Sequence, residues 1–187
     1  AIQFNGSTDY VTFSHSANLF AGGTNPFTIE AFIYANGSGG TIYADQTFKF
    51  EVSASFVYLW FNNGTCGSYS GGQGKSGFTY STKHHVTGVF DGTQAWVCID
   101  GACSSSTVFS PANCGSATSY IGSTVGGASP YFNGIIDEIR ISNNARYSSG
   151  GFTPPNSVFS WDANTIQLYH LNALNIGVQD YPSNDVY

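Results

Sequence analysis

Charge is scarce in this chain. Only 9% of its 187 residues are Asp, Glu, Lys or Arg, against roughly a quarter in an average domain. The surface must therefore be dressed in Ser, Thr, Asn, Gln, Gly and Tyr. Five Lys and Arg oppose eleven Asp and Glu, for a net charge of −6. That balance excludes a nucleic-acid partner, which would need a basic footprint. No apolar run approaches the roughly 18 residues that cross a bilayer, so no membrane insertion is expected. Methionine is absent, and the sequence opens on Ala1 in a strand-like pattern. No charged-then-apolar leader precedes it, which fits a processed product or a domain cut from a longer protein. Hydrophobic residues nevertheless reach 41% and aromatics 16%. Disordered chains lack such residues, so a folded core is expected.

Period-two alternation dominates what is there. FTIEAFIY sets Phe27, Ile29, Ala31 and Ile33 against Thr28, Glu30, Phe32 and Tyr34. Further runs are TFKFEVSA, FVYLWF, HHVTGVF, QAWVCID, SYIGS, GIIDEIRIS and TIQLYHL. Gly- and Asn-rich turns separate them, and no long amphipathic helix appears. Many short strands at this spacing predict an all-β protein, an antiparallel β-sandwich of jelly-roll type. Residues 1–187 read as one domain, with no linker and no internal repeat. Asn5, Asn36 and Asn63 each begin a glycosylation triplet, but in so Gly-rich a β protein these are read as turn chemistry.

The four cysteines match no zinc spacing. Asp100-Gly101 is a two-residue hairpin signal, and counting outward from it sets Cys98 opposite Cys103. Directly opposed strand residues are close enough for a disulfide. Cys98–Cys103 is therefore expected, leaving Cys66–Cys114 as the longer staple. Together with the low Lys content, this points to an extracellular setting: secreted, cell-surface or virion. The rival is four free thiols in a reducing compartment.

Several stretches fall in a familiar order: FNGSTDYVTF, FTIEAFIY, KHHVTGVFDGTQAWVCIDG, FNGIIDEIRIS with NARY and FTPP, and TIQLYHL. The series resembles the laminin G-like, concanavalin A-like jelly-roll modules over nearly the whole chain. Lys83 stands where that family usually has Trp, and YHLNA lacks the acidic residue often found there. The resemblance implies the fold and a structural His84-His85. It does not fix the function, because such sandwiches host lectins, adhesion modules, glycoside hydrolases and virion proteins.

GIIDEIRIS poses a chemical question. Alternation puts Asp137 on one face with Ile135, Ile139 and Ile141, and a carboxylate in apolar surroundings needs a partner. The resemblance implies a structural Ca²⁺ between the first strand and this closing one. Asn5, Asp9 and Asp137 are the expected ligands, with carbonyls around Gly6. Asn5 replaces a more usual Asp, which implies weaker affinity. Two alternatives stand: backbone N–H donors at a bulge, or Arg140, which alternation assigns to Glu138 instead.

Catalysis is not expected. A retaining glycosidase needs two carboxylates roughly 5 Å apart, whereas the acids here are scattered or sit in turns. FVYLWF carries more information. Val57, Leu59 and Phe61 take one face; Phe56, Tyr58 and Trp60 take the other. Such aromatic rows stack on sugar C–H faces, and Asn62, Asn63, Tyr69 and Gln73 follow as candidate hydrogen-bonding groups. Phe32 and Tyr34 repeat the pattern on another strand. The row is equally read as covered by loops of the same chain, or as a protein interface. The expected function is a non-catalytic carbohydrate-binding or adhesive module, with a glycan or a surface protein as partner. The alternative is a self-assembling structural protein, such as a virion decoration or extracellular filament subunit.

Overall fold

The computed structural model describes residues 1–14, 23–62, 64–112, 114–115 and 118–171. Among these residues there is no helix and there are fourteen strands. In chain order they are β1 (Ile2–Asn5), β2 (Val11–Ser14), β3 (Phe27–Ala35), β4 (Gly40–Ala44), β5 (Phe48–Ser53), β6 (Phe56–Asn62) and β7 (Tyr69–Ser76). They continue with β8 (Lys83–Phe90), β9 (Gln94–Ile99), β10 (Ala102–Cys103), β11 (Thr107–Val108), β12 (Thr118–Ile121), β13 (Asn133–Ser142) and β14 (Thr165–Tyr169). One sheet runs β1-β13-β3-β8-β9-β10, with β14 on β13 and β11 on β9; the other runs β2-β12-β4-β5-β6-β7. All pairings are antiparallel, and the two sheets make a sandwich of jelly-roll type, as the alternation predicts.

The core lies between the sheets, where the inward rows meet. Phe27, Ile29, Ala31 and Ile33 of β3 face Phe48, Phe50, Val57, Leu59 and Phe61, all at most 2% exposed. Phe27 stacks on Phe48 at 4.7 Å and meets Phe61 edge-on at 6.2 Å. Burying each such side chain contributes about 1.5–3 kcal/mol. Both expected disulfides are present. Cys98–Cys103 joins directly paired residues, and Cys66–Cys114 spans 48 positions.

A strap from 143 to 162 crosses the outer face of the first sheet and buries an ionic cluster. Glu30 is fully buried there. It accepts from Arg140 Nε at 2.8 Å, from the Tyr147 hydroxyl at 2.8 Å, and pairs with His85 Nε2 at 3.0 Å. Burial opposes its ionisation, but His85 and Arg140 outweigh that and hold its pKa below the usual value. Arg146 grips Asp162 through two hydrogen bonds, fastening the strap at its far end. His84 bonds Asp100 and Thr79. The two histidines are thus tied into the framework, as their sequence context implies.

Strict alternation fails at one place in β13. Register shifts between Asp137 and Ile139, and Glu138 takes a positive φ of 51°. This bulge inserts one residue and reverses the phase of the strand. Ile136, Ile139 and Ile141 are therefore in the core, whereas Ile135 and Asp137 face outward. Asp137 is turned away from the core isoleucines of its own strand, and it lies 3.2 Å from the nitrogen of Ala1. Arg140 serves Glu30 rather than Glu138. Glu138 instead accepts from the Phe159 N–H and meets His170 Nδ1 at 2.8 Å.

Candidate binding face

The outward row of β6 builds the candidate site. Its inward neighbours Val57, Leu59 and Phe61 are locked in the core, so pleating forces Phe56, Tyr58 and Trp60 outward. All three are half-buried. Their rings overlap like shingles: Phe56 to Tyr58 at 5.4 Å and 13°, Tyr58 to Trp60 at 5.0 Å and 29°. The neighbouring strand β7 makes room for this. Tyr58 pairs with Gly74 and Trp60 with Gly72. A Cβ on either glycine would come within 2.6 Å of the facing ring.

Charged groups flank the rings on the β5 side. The Trp60 indole donates to Glu51 Oε1 at 2.6 Å, and Lys49 Nζ lies 2.8 Å from Glu51 Oε2. Lys49 also sits 5.8 Å from the Trp60 ring and 5.6 Å from that of Tyr69. The acid and the base neutralise each other, so these two leave no net charge.

Not every residue expected beside this row belongs to it. Tyr69 lies at the Lys49 end, but its hydroxyl is committed to the Asp45 carbonyl, and burial raises its pKa. Asn62 turns inward after a register shift and is 1% exposed. Its amide donates to the Gln46 carbonyl and to Cys114 Sγ, so its role is structural. Asn63 lies outside the described residues. Gln73 bonds Ser104 and Ser105 instead of facing the rings. Phe32 and Tyr34 belong to the other sheet, where Phe32 is stacked beneath Phe159 at 5.1 Å.

The register adds two residues that the sequence alone did not single out. Tyr120 pairs with Ala44, Ala44 with Lys49, and Lys49 with Trp60. Directly paired residues share a face. Tyr120 therefore lies on the Trp60 face, three strand spacings or about 14 Å away. Tyr10, 44% exposed, is 6.4 Å from Tyr120. Alternation in SYIGS, opposing Tyr120 to the buried Ile121, was the available signal.

The three residues expected to hold calcium do not come together. Asn5 pairs with Asn133, four residues before Asp137 on β13, which separates them by about 13 Å along the strand. Asn5 and Asp9 are neighbours, but they close a turn on themselves. Asn5 Oδ1 accepts from the N–H groups of Ser7, Thr8 and Asp9. Asn5 Nδ2, a donor, lies between Thr8 Oγ1 and Asp9 Oδ1 at 3.0 and 2.9 Å. A cation needs oxygens converging on it, and here an amide nitrogen occupies the centre. Asn5, Asp9 and Asp137 are thus not gathered into one site here.

A family model described as the concanavalin A-like lectin/glucanases superfamily matches residues 5–149. No curated protein matches the chain. Among solved structures, similar folds include domains LG4-5 of the mouse laminin α1 chain, with 14% identity and a TM-score of 0.56 over 83% of this chain and 46% of that one. A candidate carbohydrate binding protein from Bacteroides ovatus has 14% identity and a TM-score of 0.62, covering 91% and 51%. The binding domain of botulinum neurotoxin DC, solved in complex with SialylT, has 15% identity and a TM-score of 0.56, covering 76% and 39%. The chain spans about half or less of the length of each. At such identities the likeness is one of fold.

Proposed function

The chain belongs to the concanavalin A-like lectin/glucanase superfamily, and on that premise we propose that its second sheet carries a carbohydrate-binding face. The module is non-catalytic and works outside the cell, displayed on a cell surface, on a virion or beside a secreted enzyme. One observation carries this reading: Phe56, Tyr58 and Trp60 form an overlapping, half-exposed ring series, with Tyr58 and Trp60 seated on Gly74 and Gly72 of β7. Ring faces and edges of this kind pack against sugar C–H groups, and Trp60 is held in place by Glu51 before any ligand arrives. The self-neutralised Lys49–Glu51 pair suits a neutral sugar better than an acidic one. Similar folds in a candidate carbohydrate binding protein and in a binding domain solved with SialylT support the class of ligand. Two disulfides support an oxidising, extracellular setting.

The test is a glycan array read with the wild type and Trp60→Ala. Glycan signals that vanish with the substitution support the face. If no glycan binds, and the protein sediments as an assembly that Trp60→Ala dissociates, the row is a subunit contact.

A further inference from the structure

On the first sheet, beyond the end of the strap, lies a groove of about 270 Å³. Ala1, Phe32, Ile33, Tyr34, Lys83, Ile135 and Asp137 line it, so it lies on the opposite sheet from the β6 ring row. Its floor is apolar. Phe32 stacks on Phe159, while Ile135 is 36% exposed, an unusual position for an isoleucine in a register this well paired.

Four lining residues bring polar groups: the Ala1 nitrogen, Tyr34, Lys83 and Asp137. Lys83 Nζ lies 4.6 Å from the centre of the Phe32 ring, so the side chain folds over the mouth of the groove. Among the described residues it pairs with no carboxylate, unlike Lys49, Arg140 and Arg146. The Tyr34 hydroxyl has no hydrogen-bond partner among them either. Asp137, whose Oδ1 lies 3.2 Å from the Ala1 nitrogen, keeps its other oxygen as an acceptor across the groove. An apolar pocket with a few converging polar groups is the usual form of a small-ligand site.

We propose that this groove takes a single carboxylate-bearing sugar residue, such as the acidic end of a glycan. The carboxylate meets Lys83, which has no acid partner among the described residues, whereas the Ala1 nitrogen is paired with Asp137. The C–H face of the ring rests on Ile135 and Phe32. Hydroxyls reach Tyr34 and Asp137, a donor–acceptor pair that a purely apolar carboxylate would leave unused. The pocket is too small for more than about one ring and its substituents.

The experiment is calorimetric titration with 3′-sialyllactose, digalacturonic acid, lactose and benzoate. One or both acidic sugars should bind and lactose should not; which acid binds separates the two sources of the carboxylate. Lys83→Ala should weaken that binding at least about tenfold, the loss expected for one charge-assisted hydrogen bond, and Lys83→Arg should keep most of it. Lys83 is exposed, so neither change threatens folding. Trp60→Ala should leave this binding intact, which keeps the result separate from the fate of the β6 face. Benzoate binding as well as the sugars do, lactose binding equally, affinity that survives Lys83→Ala, or no binding of either acid would each overturn the proposal.

Discussion

The indole of Trp60 donates to the carboxylate of Glu51 at 2.6 Å, across the directly neighbouring strand. Glu51 is 6% exposed although it lies on an outer face, because Trp60 and Lys49 close over it. A charged acceptor makes this a strong hydrogen bond. It fixes the ring that the proposed function depends on. Trp60→Ala should therefore reduce glycan binding at least about tenfold. Its cost in stability should be about 2–3 kcal/mol, from the lost stacking pair and the lost bond to Glu51. Parallel binding and urea-unfolding curves check this. Binding left intact, with a loss of about 4–5 kcal/mol, would show that the ring is a core element.

Gly74 offers a finer test of ring posture. Its backbone is not in the left-handed region, so the strand itself does not demand glycine. Alanine in such a place is ordinarily favoured by about 0.5–1 kcal/mol. Yet the new Cβ would stand 2.6 Å from Cε1 of Tyr58 and push the ring aside. Gly74→Ala should keep or slightly raise the melting temperature while weakening glycan binding. Unchanged binding would mean that the exact seat of Tyr58 is irrelevant.

Calcium should have little effect. Asp137 is remote from Asn5 and Asp9, and their turn is closed by its own donors. A ligand that binds only the folded state raises the melting temperature by mass action. Thermal unfolding in millimolar Ca²⁺ and in chelator should therefore give the same midpoint. A clear rise with Ca²⁺ that Asp9→Asn abolishes would refute this and restore a metal at the turn.

Much of the sandwich could be read from the sequence, because a strand with one face in a core must alternate. FTIEAFIY and FVYLWF obey this without interruption, and the Asp100-Gly101 turn set Cys98 against Cys103 by counting alone. What alternation cannot show is a change of phase. One inserted residue at Glu138 turned Asp137 from the isoleucine face to the outside, and a register shift turned Asn62 inward. Nor can it show which sheet a strand joins. Phe32 and Tyr34 have the same local pattern as Tyr58 and Trp60 but lie on the other side of the molecule. Tyr120 was hidden for the converse reason, since its link to Trp60 runs through three cross-strand pairs.

Acid titration should separate two buried carboxylates with opposite signs. Glu30 has its pKa lowered, so it contributes stability that is present above its unfolded pKa and lost as pH falls through the folded value. Asp45 behaves in reverse. Burial, partly offset by hydrogen bonds from the Phe48 and Thr47 N–H groups, raises its pKa to about 6. The folded state therefore binds this proton more tightly than the unfolded chain does. The resulting stability is fully present below the unfolded pKa near 3.8 and is lost as pH rises through about 6. The swing is on the order of 3 kcal/mol, at 1.36 kcal/mol per unit. Asp45→Asn keeps an oxygen for both N–H donors and never ionises. Its stability relative to wild type, from urea unfolding at pH 4, 5, 6 and 7, should thus rise between pH 4 and 6 and level off by pH 7. A difference that stays flat from pH 4 to 7 would show that Asp45 is not the group that titrates there.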